Sequence, residues 1–252
     1  MPTPPEFGPV PLAIVTGGAK RIGAVLVRAL ASEGWRVLIH CHASRTEADA
    51  LAAETGGAVV VADLARRDAA ETIMAAAGGA ARLLVNNASR FVYDRWDDFT
   101  DADWAAHMDV NVSAPVLLTR AFAAALPEGA HGLAINLLDA KLSAPNPDYF
   151  SYTVSRYALA GATELLARAL APHVRVNAIA PAITMTSGPQ NRADFDRVHA
   201  LNPLHRGVDA DDLARALLFL AASPAVTGQT ITVDAGARFM GLARDVAFLD
   251  QI

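Results

Sequence analysis

The sequence predicts an α/β protein built on one doubly wound, mainly parallel sheet of seven strands with helices on both faces. Three observations carry that expectation. Short apolar runs rich in β-branched residues recur along the chain, most of them are separated by Ala- and Leu-rich stretches with helical spacing, and the first run enters a glycine-rich turn. Near-continuous apolar strands alternating with helices form parallel sheets buried on both faces.

Taken in order, LAIVTG (12–17) is the first strand, and the turn TGGAKRIG (16–23) opens the helical stretch AVLVRALASEG (24–34). RVLIHC (36–41), AVVVAD (58–63) and RLLVNN (82–87) supply strands two to four. The capping-box-like TDAD (100–103) begins a helix containing Asn111, and Pro115 four residues later removes a backbone donor, so a local break there can hold a water near Asn111. GLAINLL (132–138) is strand five, DYFSYTVSRYALAG (148–161) reads as helix, and VRVNAIA (174–180) and QTITVD (229–234) complete the sheet. A sheet of this kind binds ligands beyond the carboxyl ends of its strands, where the motifs below are expected to gather.

At 252 residues the chain suits one domain over residues 1–252, with residues 1–10 a loose leader. Charged residues make up 19%, the net charge is −5, and no basic run gives a footprint for nucleic acid. No apolar run is long enough to span a bilayer, and the opening lacks the features of a signal peptide, so a soluble cytoplasmic protein is expected. The single cysteine, Cys41, excludes an internal disulfide. Only Lys20 and Lys141 are lysines; every other basic residue is arginine, a bias that applies to any single arginine in the chain.

Glycines 17, 18 and 23 let the chain turn tightly and bring backbone N–H groups and a helix N-terminus to a pyrophosphate, the Rossmann-like arrangement for a dinucleotide. An NAD-preferring site places an acid at the end of the second strand to bond the ribose 2′-hydroxyl. Here that place holds His40, Cys41, His42, Ala43, Ser44 and Arg45, a cationic and hydroxyl-bearing corner that, with Arg21, suits the additional phosphate of NADP. Two other readings stay open: His40 and His42 alternating onto one strand face as metal ligands, or ordinary polar residues at a strand end.

Four residues separate Tyr152 from Arg156, so on a helix phenol and guanidinium point into the same space. Tyr149 and Tyr157 have Thr153 and Gly161 at that spacing, which leaves Tyr152 as the candidate. Moving a phenol from about 10 toward 7 needs about 4 kcal/mol. A unit charge about 4 Å away in an effective dielectric near 20 supplies about that much. Guanidinium keeps this electrostatic contribution but does not pass a proton.

TGGAKRIG, NNAS (86–89), Asn111 within NVSAP, Tyr152 and TGQTITVDAG (227–236) together resemble the short-chain dehydrogenase/reductase family, over most of the chain. The details look most like pteridine reductases and the related bacterial dihydromonapterin or dihydrofolate reductases: Arg21 in the AKRIG form of the turn, HCHAS (40–44), Phe91 after NNASR, and Asp139 thirteen residues before Tyr152. The chain departs from the family at Arg156, where members carry lysine. The resemblance implies Tyr152, Asp139, Arg156 and Asn111 as the catalytic group. It implies an NADP site from Gly17, Arg21, Ile22 and Gly23, from His40, His42, Ser44 and Arg45, from Asp63 and Leu64, and from Asn87, Ala88, Ser89 and Pro181. Phe91 and Ser89 are the implied substrate contacts, no metal is expected, and residues 182–206 are the implied lid, with Pro203, Leu204 and Arg206 as its closing element. Members commonly form homotetramers or homodimers, and the tail GLARDVAFLDQI (241–252) is long enough to cover a neighbour's site. The leading expectation is NADPH-dependent reduction of a pterin-like C=N. Reduction of a carbonyl or sugar ketone, or cofactor sensing without turnover, are the alternatives.

Overall fold

A computed structural model describes residues 5–79, 81–185, 199 and 201–251. All seven expected strands form: β1 (Leu12–Val15), β2 (Arg36–Cys41), β3 (Ala58–Val61), β4 (Ala81–Asn86), β5 (Gly132–Leu137), β6 (Val174–Pro181) and β7 (Thr230–Val233). They lie in the order β3-β2-β1-β4-β5-β6-β7, and every pairing is parallel, so the sheet is wholly rather than mainly parallel. The chain winds one way from β1 to β3 and then returns to place β4 on the other side of β1. That reversal opens a crevice at the carboxyl ends of β1 and β4.

The side chains of each strand alternate between two cores, as the period of two requires. Ala13, Val15, Val37, Ile39, Val85 and Ile135 face a core with α1 (Arg21–Ser32), α2 (Arg45–Thr55) and α7 (Ala210–Ala221). Leu12, Ile14, Leu38, Leu84, Ala134 and Val176 face the other, packed on α3 (Ala69–Ala77) and α5 (Ala114–Ala125). The interior strand β5 is buried along its whole length, whereas the edge strands β3 and β7 are partly open. No helix among the described residues is long and apolar enough to cross a membrane.

Two helices matter for the site. α4 (Asp101–Met108) begins at Thr100, whose hydroxyl oxygen accepts the Asp103 N–H at 3.1 Å. The break expected before Pro115 is a π-helical turn, Asp109–Ser113, which carries Asn111 inward; Pro115 then sits in the first turn of α5, where its missing N–H costs little.

α6 (Phe150–Leu170) carries Tyr152 and Arg156, and its N-cap Tyr149 has no side-chain cap. The cap comes from another loop: Asp94 accepts the Ser151 N–H on Oδ1 at 3.0 Å, and its backbone carbonyl accepts the Phe150 N–H at 3.2 Å. A carboxylate at a helix N-terminus is favoured by the macrodipole. Further along, Asn86 donates to Asn136, and Asn136 donates to Thr163, both at 2.8 Å, so a buried polar chain fixes α6 across β4 and β5.

Candidate active site

The glycine turn is held from both sides. Thr16 Oγ1 accepts the N–H groups of Asn87 and Ala88, each at 3.0 Å, and the Asn87 carboxamide donates to the carbonyls of Thr16 and Gly17 at 2.9 and 3.1 Å. This leaves no space for side chains at two of the glycines. A Cβ on Gly23 would lie 2.2 Å from the Gly17 carbonyl oxygen, and one on Gly17 would lie 3.0 Å from Ala88 Cα at a φ of +59°. Arg21, in the place of a family glycine, has φ 53°, a left-handed conformation for a residue with a Cβ.

The second-strand corner differs from the sequence expectation at His40. Its ring is buried: Nδ1 accepts the Gly17 N–H at 3.1 Å, and Nε2 lies 3.0 Å from the Ala62 carbonyl. Burial holds its pKa below the ordinary value, so His40 is a neutral strut under the glycine turn rather than a cation facing a phosphate. Both ring nitrogens are taken, which removes His40 from any metal site. His42 lies one residue past the end of β2 and is exposed, so the two histidines do not share a strand face. Ser44 caps no N–H of α2 with its side chain, and Arg45 Nε donates to both carboxylate oxygens of Asp49 at 2.7–2.8 Å.

A cavity of about 540 Å³ opens beyond the strand ends. Of the residues expected to bind cofactor, Gly17, Arg21, Ile22, Gly23, Asn87, Ala88, Ser89 and Pro181 line it. His40, His42, Ser44, Arg45, Asp63 and Leu64 do not; Asp63 caps the N–H of Ala65, and Leu64 is buried in the second core. Residues 182–185, His199 and Asn202 also line the cavity, while residues 186–198 and 200 of the expected lid lie outside the described residues. Arg206 pairs with Asp212 on α7 at 2.8 Å, and Leu204 is exposed.

Tyr152, Asp139 and Arg156 meet on the cavity wall. The Tyr152 hydroxyl donates to Asp139 Oδ2 at 2.8 Å, and the other carboxylate oxygen accepts the Lys141 N–H at 2.8 Å. Arg156 is buried, donates from Nη1 to the Leu137 carbonyl at 3.0 Å, and stands with Cζ 5.1 Å from the centre of the Tyr152 ring. Its Nε is buried with no partner among the described residues.

The expectation that Arg156 lowers the phenol toward neutrality is corrected here. Burial, followed by the Asp139 carboxylate, pushes Tyr152 well above its ordinary range, and the opposing pull of Arg156 is smaller. A single-charge estimate counted the guanidinium but neither the lost solvent nor the adjacent anion. Burial likewise raises Asp139, so the pair holds its protons tightly. Asn111 is buried with its carboxamide engaged: Oδ1 accepts the Arg90 N–H at 2.8 Å, and Nδ2 donates to the Arg90 carbonyl and to Ser155 Oγ, both at 3.0 Å. Asn111 thus ties the loop carrying Phe91 to α6, and a water at its side chain would have only the second Oδ1 lone pair.

Phe91 lines the cavity, stacked on Tyr149 with centroids 4.3 Å apart and edge-on to Tyr152 at 4.7 Å. Ser89 is exposed there and donates to the Arg90 carbonyl. Sequence reasoning weighed Tyr149 only as a proton donor and missed its part in this wall. It also missed Tyr93 and Asp148, and it considered the tail only as a cover for a neighbour's site. Arg244 and Asp245 bind Asp148, and Phe248 lies 4.8 Å from Tyr93, so the tail covers the cavity of its own chain. Lys141 joins this group: its Nζ donates to the Asp148 carbonyl and lies 3.5 Å from Asp245.

A glycine turn at the first strand, a helix-borne tyrosine and a sheet of this order would fit many nucleotide-binding chains, but their joint match to one family profile is specific. The profile described as enoyl-(acyl carrier protein) reductase matches residues 17–238. The chain belongs to the short-chain dehydrogenase/reductase family. It is therefore a member of a family of oxidoreductases. Among short-chain relatives, galactitol 2-dehydrogenase of Rhizobium johnstonii is 36% identical over 244 residues, covering 89% of this chain and 93% of that protein. The crystal structure of FolM alternative dihydrofolate reductase 1 from Brucella canis, complexed with NADP, has a TM-score of 0.87 and 38% identity, covering 94% of this chain and 97% of that one. The corresponding protein from Brucella suis, also with NADP, has a TM-score of 0.85 and 39% identity, covering 91% and 95%.

Proposed function

We propose that the chain is an NADPH-dependent reductase that reduces a ring C=N of a dihydropterin-like substrate. The observation that carries this reading is the Tyr152–Asp139 hydrogen bond of 2.8 Å beside Phe91, in a cavity that also opens on the glycine turn. The NADP complexes of the two FolM proteins support the cofactor. So do two features of this chain: Gly17, Ile22 and Gly23 line the cavity at the start of α1, and the buried Nε of Arg156 has no partner among the described residues. When bound, the cofactor supplies a hydride.

The remaining chemistry belongs to the chain's own groups. Ile22 and Gly23 would take the pyrophosphate with backbone N–H groups at the start of α1, while Gly17, its N–H held by His40, shapes the turn. Arg156, anchored on Leu137, would hold the nicotinamide ribose with its free donor. Tyr152 gives its hydroxyl proton to the ring nitrogen of the substrate, and Asp139, which burial favours in its protonated form, returns one to the phenolate oxygen and regains its own from water in the cavity. The upward shifts keep Tyr152 protonated before the reaction, as a donor must be, and make its proton harder to release until substrate and cofactor occupy the site. Phe91 offers a ring for a flat substrate to stack on. His42, Ser44 and Arg45 remain the groups for the second phosphate, with Arg45 exchanging Asp49 for it.

The test is the initial rate of NADPH oxidation by the purified protein with a 7,8-dihydropterin, using Tyr152→Phe as the blank. A rate abolished in the blank is expected; NADPH binding with no rate above the blank sinks the pterin reading. The sugar dehydrogenase among the relatives favours a second reading, reduction of a sugar ketone, for which Phe91→Ala would hardly matter. A homotetramer or homodimer is part of the proposal, supported by the exposed Tyr157 and Leu165 on α6 and Phe219 on α7. So is a cytoplasmic location, where the single thiol of Cys41 stays reduced.

A further inference from the structure

Asp148 is a buried acid with more partners than any part of the proposed chemistry uses. Arg244 forks onto it, Nε to Oδ2 and Nη2 to Oδ1, both at 2.8 Å. The Asp245 N–H donates to Oδ2 at 2.8 Å, and the Tyr93 hydroxyl donates to Oδ1 at 3.4 Å. Its own backbone carbonyl accepts from Lys141 Nζ. Three separate stretches, at 93, 141–148 and 244–245, therefore converge on one residue that is 3% exposed.

Among the described residues, the tail is tied to the rest of the chain by few backbone hydrogen bonds. It leaves the sheet after β7 and runs through two short 3-10 turns, Ala237–Met240 and Val246–Gln251, without joining a strand ladder. Segments with few ladder bonds open at low free energy unless a specific contact closes them. Yet Met240, Leu242, Asp245 and Val246 form one wall of the cavity. Beyond the fork, Phe248 lies 4.8 Å from Tyr93, which meets Tyr149 edge-on at 5.1 Å; Tyr149 in turn stacks on Phe91. Tyr149 occupies a left-handed conformation, φ 54°, directly after Asp148. The orientation of the aromatic wall is thus set at the residue that the tail grips.

We propose that Asp148 and Arg244 form a latch that seats the C-terminal tail on its own chain's cavity and holds the Tyr149–Phe91 wall in place for a flat heteroaromatic substrate. Both are positioning residues: they act through Tyr149, Phe91 and the tail, not on the reacting atoms. The inference rests on the reductase reading above and adds to it the part of the chain that selects substrate shape. Because the latch lies at the substrate end, its loss separates two affinities that a general loosening of the fold would lower together.

The experiment compares the parent, Arg244→Met, Arg244→Lys and Phe248→Ala. Each is measured for binding of NADPH and of an oxidised pterin, followed by the pterin's own fluorescence, and for KM and kcat with a 7,8-dihydropterin. Arg244→Met is expected to raise the pterin dissociation constant and KM about tenfold or more, since small misplacements of a site are costly, with NADPH binding held within about twofold. Arg244→Lys keeps the charge but not the fork and should fall between parent and Arg244→Met. An Arg244→Met protein that binds NADPH and takes pterin as the parent does overturns the latch. If Arg244→Met does not fold, Phe248→Ala decides: it leaves the ion pair intact and must weaken pterin alone, and unchanged pterin binding overturns the latch equally. A parent that takes no pterin overturns the reductase reading together with the latch's role in it, whereas a parent that takes pterin with all variants unaffected overturns the latch alone.

Discussion

The two ends of the cavity are built differently. At the cofactor end, a few residues close together in sequence form a backbone cradle, and the bonds from Thr16, Asn87 and His40 fix main-chain atoms. At the substrate end, side chains from residues 91–93, 139–149 and 244–248 meet around Asp148. The first depends on what the backbone can do where there is no room for a Cβ. The second depends on long side chains arriving from distant parts of the chain. A change at the first end should therefore be all or nothing, while changes at the second should be graded and selective for substrate.

The largest effect is expected from Gly23→Ala. With a Cβ 2.2 Å from a carbonyl oxygen, the turn must shift, and NADPH affinity should fall about 100-fold or more while the core stays folded. Equilibrium titration with NADPH checks it, and near-parental affinity would break the contrast between the two ends. Tyr152→Phe should lower the rate by about 100-fold or more with NADPH affinity unchanged, read by turnover beside the same titration. Next in size, Phe91→Ala should raise KM for a dihydropterin about fivefold with NADPH binding unaffected, since one stacked ring is worth about 1 kcal/mol. Equal losses for both ligands would mean that the ends are coupled through the loop that Asn111 holds.

The smallest effect concerns pH and belongs to the cofactor end. Burial lowers the pKa of His40 below its unfolded value near 6.5, so the stability it contributes is present above that value and is lost as pH falls toward the folded pKa. Protonation would also remove the lone pair that accepts the Gly17 N–H. His40→Gln keeps a donor and an acceptor but does not titrate. Its melting temperature should fall about 2 °C less than the parent's on going from about pH 7.5 to about pH 5.5, which thermal denaturation at the two pH values measures.

This difference also decided what could be read from the residues alone. The seven strands were legible because parallel strands are continuous apolar runs, and only their ends moved: β1 stops at Val15 because Thr16 has already turned to bind Asn87 and Ala88. The glycine turn and the Tyr152–Arg156 pair were legible because fixed spacings on a strand end and a helix carry them, while Asp139 came only through the family resemblance. His40 was misjudged because alternation along a strand reveals a face but not which groups wait there; Gly17 and Ala62 claim both nitrogens. The phenol was misjudged because desolvation is a property of the assembled site. The Asp148 cluster had no local signal, since Arg244 lies 96 residues away in the chain.

Arg21 turns this architecture into a conflict between durability and use. A residue with a Cβ held at φ 53° costs about 1 kcal/mol relative to the glycine that would be at ease there, yet it brings a guanidinium to the mouth of the cavity. Arg21→Gly would relieve the backbone and remove the charge in one step. Directed evolution that rewards heat resistance alone would tend to accept that exchange, and the more robust descendants would hold a dianionic ligand less well than their ancestor.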